Sequence, residues 1–329
     1  MSTTIVAGSR EAWARRVLGL SAVRRHVLAA ERAGEGPVTV VGNPEDVDAL
    51  RAELHDTRAL IGTTAPPGAV RSCADEFDLG AILRALHKPT DNKLARLNRR
   101  VSIPISRVLC RTPLSPNAIS IIGLFISIGA GLAYARGGYL WMLLGAFLGW
   151  FSSMWDGCDG EVARMTYRES DFGCWLEGVC DDLYYASAFL GIGVGLWRTG
   201  AGRLAITLCV IALVGIIILF PMHYVLRAKV AARTGAGAAS FAKFFEERMN
   251  ALGDDPLVKF SRLTWKLGTR STLPYILLVL ALFGQNWFAL VIAAAGAHIY
   301  WILTIYVWRV EPSRPPVPSL QRSTVPRHD

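Results

Sequence analysis

YLWMLLGAFLGWFSSMW, residues 139–155, runs without a charge into DGCDGEVARMTYRESDFGCWLEGVCDD, residues 156–182. An uncharged apolar stretch of this length suits a helix inside a hydrocarbon layer. Carboxylates that begin where it stops mark a polar boundary, where ionisable groups carry function by default. Reading outward, five further apolar stretches reach or approach the roughly 20 residues a helix needs to cross about 30 Å of hydrocarbon. They are 117–135, 175–197, 204–226, 273–283 with its flanks, and 288–308. The fifth span in chain order contains Pro274, which a first helical turn tolerates because that N–H has no partner there. The expected fold is an all-α polytopic membrane protein with six transmembrane helices, preceded by a small cytosolic α/β region.

Composition agrees. Of 329 residues, 52% are hydrophobic and 19% charged, against about 25% charged in soluble domains, and the mean hydropathy is +0.33. This excludes a disordered, collagen-like or coiled-coil chain. Cys73, Cys110, Cys158, Cys174, Cys180 and Cys209 form no CxxC pair, which argues against a zinc ribbon or a disulfide scaffold and for reduced thiols. The net charge is +9, and the cations are sorted: residues 227–270 hold nine Lys and Arg, whereas 284–287 hold none. With the arginines of 96–111, Arg164, Arg168 and Arg309 they fall on one side of a six-span layout, Arg198 and Arg203 excepted. Both termini and the carboxylates are then cytoplasmic, in a cell inner membrane. Cations distributed this way line no single groove for nucleic acid.

No cleavable signal peptide is expected, since Arg10, Arg15 and Arg16 interrupt any apolar core near the start. Residues 4–7, 38–41 and 60–63 read as short buried strands, with helical patterns at 12–33 and 44–54 between them. Gly42-Asn43-Pro44 reads as a turn because no GxxxxGK pattern follows, and the region is assigned no chemistry. In 98–111, Val101, Ile103, Ile105, Val108 and Leu109 alternate with Arg99, Arg100, Arg107 and Arg111, the pattern of an interfacial helix with arginines towards lipid headgroups. The expected boundaries are 1–87 for the α/β region, 88–112 for the juxtamembrane segment, 113–310 for the membrane domain and 311–329 for a flexible cytosolic tail.

On a helix, Asp156, Asp159 and Ala163 stand at i, i+3 and i+7 and share a face; Gly173, Glu177 and Asp181 at i, i+4 and i+8 share another. The two helices form an antiparallel hairpin around 165–172, and their carboxylate faces can meet at one height. A like-charged pair at about 4 Å repels by roughly 4 kcal/mol at an effective dielectric near 20, so positive charge is expected there. Arg164 supplies one. Hard oxygen donors with no His or thiolate on the same faces favour Mg²⁺ or Mn²⁺, one or two ions. Cys158, Cys174 and Cys180 lie off these faces and read as packing. Gly157, Gly160 and Gly173 clear space for a ligand or the opposing helix. Asp182, turned about 100° from Asp181, reads as solvated or loop-facing.

At these residues the chain resembles the CDP-alcohol phosphatidyltransferases. The family signature, Asp-x2-Asp-Gly-x2-Ala-Arg-x8-Gly-x3-Asp-x3-Asp, is matched by Asp156, Asp159, Gly160, Ala163, Arg164, Gly173 and Asp181, with Glu177 where the third Asp belongs. The likeness extends to Thr112-Pro-Leu-Ser-Pro-Asn117-Ala-Ile-Ser120 and covers about 88–308; the first 85 residues lie outside it. The resemblance implies that Asp156, Asp159, Glu177 and Asp181 hold two divalent ions and that Asp181 also takes the proton of the attacking hydroxyl. It implies that Gly160, Ala163, Arg164 and Gly173 line the site of the CDP-alcohol donor, and that Asn117 and Ser120 touch the nucleotide. The implied reaction is attack of an acceptor hydroxyl on the donor phosphorus with release of CMP, in phospholipid or inositol-phosphodiester synthesis, by an enzyme that forms a homodimer. The Lys88-Pro-Thr-Asp91 start and the lead-in from Ser102 to Ser115 are similar to members that join inositol phosphate to CDP-inositol.

For a charged acceptor such as an inositol or glycerol phosphate, Arg227, Lys229, Arg107 and Arg111 are the available cations, each equally suited to be a topology anchor. Glu177 keeps the charge but reaches one methylene further, so metal binding is expected to be retained but altered. Two rival readings are a six-span cation transporter and a family member weakened in catalysis by Glu177. A transporter would place ionisable groups at several depths, whereas these cluster at one boundary, apart from His223 and His298, which read as packing groups. Gly191, Gly193 and Gly195 permit close helix contact without naming a partner.

Overall fold

A computed structural model describes residues 3–64, 69–75, 77–87, 91–234, 241–252 and 256–309. In the N-terminal module, β1 (Thr3–Gly8) leads into α1 (Arg10–Ala14), and a short hairpin, β2 (Arg16–Val17) and β3 (Leu20–Ser21), opens α2 (Ala22–Arg32). β4 (Val38–Gly42), α3 (Val47–Glu53), β5 (Leu60–Gly62), β6 (Ala69–Ser72) and α4 (Leu79–Arg84) follow. Four strands pair in parallel in the order β5-β4-β1-β6, with Ile5 opposite Val40 and Val40 opposite Ile61. Apolar runs on parallel strands need cover, and here Ile5, Val38 and Val40 pack with Val23, Val27 and Leu50 of α2 and α3.

The three expected strands are present. The helix expected over 12–33 is not one helix. Leu18 and Gly19 both take positive φ, at 48° and 83°, and fold the chain into the β2–β3 turn before Ser21 caps α2 by accepting the Arg24 N–H at 3.4 Å. The unforeseen strand β6 contains Arg71 and Ser72 and has no strand pattern of its own; pairing with β1 imposes it.

The remainder is helical: α5 (Lys93–Leu109), α6 (Pro116–Arg136), α7 (Tyr139–Thr166), α8 (Asp171–Leu196), α9 (Gly202–Thr234), α10 (Phe241–Ala251), α11 (Pro256–Gly268), α12 (Leu273–Leu282) and α13 (Asn286–Arg309). Among the described residues three segments are long and apolar enough to cross a membrane: Pro116–Arg136, Asp171–Val230 and Asn286–Arg309, each with an 18-residue stretch of mean hydropathy 2.0, 2.9 and 2.0 respectively. The second comprises α8 and α9, broken at a π-turn where Gly200 has φ 96°. α12 has ten residues, fewer than the roughly 20 that span a bilayer. Large apolar side chains such as Phe125, Leu132, Leu140 and Ile217 point outward, 67–75% exposed, a surface that suits lipid and not water. These features mark an integral membrane protein. The expected tail, 311–329, and the segment start, 88–90, lie outside the described residues.

α6 packs against both α7 and α8. A Cβ at Gly191 would stand 2.2 Å from the Gly131 carbonyl oxygen, and one at Gly195 would stand 2.1 Å from that of Tyr134. The small-residue face of α8 is therefore used inside the chain. Around it lies a core containing Tyr134, Met142, Ala146, Phe189, Ile192 and Leu277.

α5 departs from the expectation of arginines facing headgroups at Arg99. Its buried residues are Asn98, Arg99, Ser102 and Ser106, with Leu109 at its end, while Leu97, Val101 and Val108 are exposed. The reason is a partner on α7. Glu161, 0% exposed, accepts from Ser102 Oγ at 2.6 Å, Ser106 Oγ at 2.7 Å and Arg99 Nη1 at 2.9 Å. Arg99 also pairs with Asp91 at 2.5 Å. Arg100, Arg107 and Arg111 are exposed. α5 is further fastened to the start of α12 by Asn92 with Ser271 and Thr272 and by Tyr275 with Asn98.

Candidate active site

The two halves of the acidic motif sit on successive helices joined by residues 167–170. α7 ends at Thr166, where Tyr167 takes the left-handed conformation and the Arg168 N–H reaches back to the Ala163 carbonyl at 2.9 Å. Ser170 opens α8 by accepting the Gly173 N–H at 3.0 Å. This geometry brings Asp156, Asp159, Glu177 and Asp181 within electrostatic range of one another, as the helical spacing predicts.

The positive charge among them is not the one expected. Arg270, in the turn before α12, places Nη1 3.3 Å from Asp156 Oδ1 and pairs it with Asp181 Oδ1. Nη2 donates to Ser152 Oγ at 3.0 Å, the Arg270 carbonyl accepts from Ser153 Oγ at 2.5 Å, and the guanidinium lies 4.7 Å from the Tyr184 ring centroid. Only 7% of the residue is exposed. In sequence Arg270 is one more cation of a basic loop, which is why it reads as a topology signal.

Arg164, expected to balance the carboxylates, makes no hydrogen bond or ion pair among the described residues, and its buried Nε has no partner. Its guanidinium lies over Gly160, where a Cβ would stand 3.2 Å from Nη1. A partly desolvated guanidinium whose Nε–H lacks an acceptor, although Glu161, Glu169 and Glu177 lie within electrostatic range, suits an anionic ligand. Ser120 Oγ donates to Asp159 Oδ2 at 2.5 Å, and Asp159 Oδ1 accepts the Gly160 N–H at 2.5 Å; Ser120 thus orients a carboxylate. Asn117 Oδ1 faces Gly173, 3.3 Å from where its Cβ would be. The lead-in at the start of α6 therefore meets the motif, and Ala163 is buried beside it.

Of the acceptor cations, Arg227 alone leans on α8: Nη1 donates to the Cys174 carbonyl at 3.4 Å and lies where a Gly178 Cβ would clash. Lys229 lines an apolar groove between α9 and α13 with Met222, Trp308 and Arg309. Asp182 is not loop-facing. It is half-buried and interacts with Arg227, because the turn of α8 that aims Asp181 at α7 aims its neighbour towards α9. All six cysteines are free, and Cys158 and Cys180 are buried, as packing roles require. His223 stacks edge-on against Tyr300, and His298 contacts the Ile211 carbonyl.

Among the described residues no group of three or more His, Cys, Asp or Glu is arranged to hold a metal ion. The donor set is all carboxylate oxygen, which suits a hard divalent cation, and one guanidinium does not match four carboxylates. In the arrangement seen, Arg270 holds two of them.

Several known proteins are similar to part of the chain. A phosphatidylinositol phosphate synthase from Mycobacterium marinum is 34% identical over 118 residues, 35% of this chain and 48% of that protein. A bifunctional IPC transferase and DIPP synthase from Aquifex aeolicus is 39% identical over 98 residues, 29% of this chain and 21% of its own. An archaetidylinositol phosphate synthase from Pyrococcus horikoshii is 30% identical over 109 residues, 31% and 54% respectively. The chain spans about half the length of the first of these, 48%. The family profile described as CDP-alcohol phosphatidyltransferase matches residues 113–308, more than half of the chain and all of α6 to α8. A match over more than half of its residues shows that the chain belongs to the CDP-alcohol phosphatidyltransferases.

Proposed function

We propose that the chain is a membrane-embedded transferase that moves the substituted phosphate of a CDP-alcohol to an acceptor hydroxyl, releasing CMP. The observation that carries this reading is the convergence of Asp156, Asp159, Glu177 and Asp181 beside a half-buried Arg164 whose Nε has no hydrogen-bond partner. Arg164, Gly160, Ala163, Gly173 and Asn117 bind the donor, the guanidinium facing its phosphates and the glycines admitting it close to the backbone. Asp156, Asp159, Glu177 and Asp181 would hold one or two Mg²⁺ or Mn²⁺ ions, which when bound offset charge on the pyrophosphate. Asp181 accepts the proton of the attacking hydroxyl, and Ser120 keeps Asp159 oriented. Arg227 is the cation best placed for an acceptor phosphate. The name of the mycobacterial relative, a phosphatidylinositol phosphate synthase, supports an inositol phosphate as acceptor; the donor in this reading is CDP-diacylglycerol or a CDP-polyol. Six spans, with both termini and the site on the cytoplasmic side, complete the reading, and the chain works as a homodimer.

Purified protein incubated with CDP-diacylglycerol or CDP-inositol, an inositol phosphate, and Mg²⁺ or Mn²⁺ should release CMP and form a phosphodiester identified by mass spectrometry. Asp181→Asn should lower the rate by about 100-fold or more, the scale of a lost general base. No metal-dependent CMP from any donor would remove the reading.

A further inference from the structure

Among the described residues two non-glycine side chains adopt a positive φ, Leu18 at 48° and Tyr167 at 56°. Both lie where the N-terminal module meets the membrane domain. Side-chain-bearing residues enter this region at a cost and stay there only when their surroundings hold them. Leu18 is 8% exposed, packed with Leu86, Leu109, Val162 and Met165. Beside it Gly19 presses on the end of α5, where a Cβ would stand 2.0 Å from the Cys110 carbonyl oxygen.

Tyr167 ends α7, and two arginines of α2 hold it. The Arg25 and Arg32 guanidinium groups lie 5.7 and 5.8 Å from its ring centroid. Arg25, 1% exposed, donates from Nη2 to the Met165 carbonyl at 2.8 Å and to the Val17 carbonyl at 2.9 Å. The Met165 carbonyl is among the last four of α7, which have no partner within the helix. Arg32 pairs with Glu169. On the membrane side, the residues gripped, Met165, Tyr167 and Glu169, all lie between Arg164 and Gly173.

We propose that the N-terminal module is a positioning element for the transferase site. Through Arg25 and Arg32 it holds Tyr167 in its strained conformation, and so fixes how the Arg164 end of α7 faces the Gly173 end of α8. This rests on reading those residues as the donor site. Arg25 and Arg32 touch no substrate; they act through the turn.

The test uses the full-length protein in detergent. In Arg32→Ala and, from the other side of the pair, Glu169→Ala, amide hydrogen exchange over 166–171 should quicken about 10-fold. The donor KM should rise about 5-fold while kcat stays within about 2-fold. Adding Tyr167→Gly to Arg32→Ala should restore most of the donor KM, because glycine takes a positive φ unaided; a general loss of stability would not be rescued this way. Unchanged exchange in both variants overturns the proposal, as does quickened exchange with an unchanged donor KM. Absence of CMP release from the wild type would instead sink the transferase reading, and the exchange data would still decide whether α2 holds the turn.

Discussion

Arg270 is gripped on three sides, by Asp156 and Ser152 of α7, by Asp181 of α8 and by the ring of Tyr184. Removing one partner of a buried charge pair costs about 3–5 kcal/mol, because the remaining charges face one another in a poor dielectric. Arg270→Gln should therefore lower the melting temperature of the protein in EDTA, and Mn²⁺ should recover much of the loss. An ion at 100 times its dissociation constant stabilises by about 2.7 kcal/mol, and an ion between Asp156 and Asp181 would replace the missing charge. Thermal melts with and without Mn²⁺ check this; equal metal stabilisation of variant and wild type would show that these carboxylates do not bind the ion. Glu177 allows a second measurement. Shortening it to the aspartate of the signature, Glu177→Asp, should reduce the Mn²⁺ concentration for half-maximal CMP release by up to about 10-fold, roughly 1.4 kcal/mol; an unchanged metal titration would mean that the longer side chain already reaches the ion.

At the scale of elements, α5 and α7 are joined through one carboxylate. Glu161 lies two residues beyond Asp159, about 200° around the helix, so the same helix shows one acidic face to α8 and one acidic residue to α5. Three donors converge on Glu161. In Glu161→Gln an amide N–H₂ must face donors, and the Arg99 charge loses part of its balance; destabilisation by about 3–5 kcal/mol is expected. Chemical denaturation read alongside Glu161→Ala would check it, and a loss below about 1 kcal/mol would show that water replaces the carboxylate. This clamp was partly legible. Asn98, Ser102 and Ser106 recur every four residues on α5, and such a polar stripe beside an apolar membrane helix asks for a buried polar partner. The charge of Arg99 gives no sign of its place beside that stripe. The acidic spacing on α7 and α8 needed only helical periodicity and is met. Arg270 was not legible, because it reaches the carboxylates across 89 residues and nothing local separates it from the other cations of its loop.

In the whole molecule, three of the sheet's four strands are readable from their short apolar runs, whereas β6 and the module's attachment to the membrane domain are not. That attachment depends on Leu18, Arg25 and Tyr167, whose sequence contexts show neither a positive φ nor a partner 140 residues away. Acid should loosen it. His26 follows Arg25 on α2, its Nε2 is buried without a hydrogen-bond partner, and its ring lies 4.4 Å from that of Phe77. Burial first, then the charge of Arg71, with smaller effects of Arg15 and Arg25, holds its pKa below the ordinary 6.5, while Asp75 opposes them. A depressed pKa in the folded state means that the unfolded chain binds the proton more readily. The stability carried by neutral His26 is therefore present above pH 6.5 and is lost as pH falls through the folded value. Thermal melts of wild type and His26→Phe at pH 7.5, 6.5 and 5.5 separate this group from the carboxylates common to both proteins. The variant should gain on the wild type with each step into acid. A stability difference independent of pH would show that the imidazole titrates alike in the folded and unfolded chains, and that acid does not reach the α2 contact through His26.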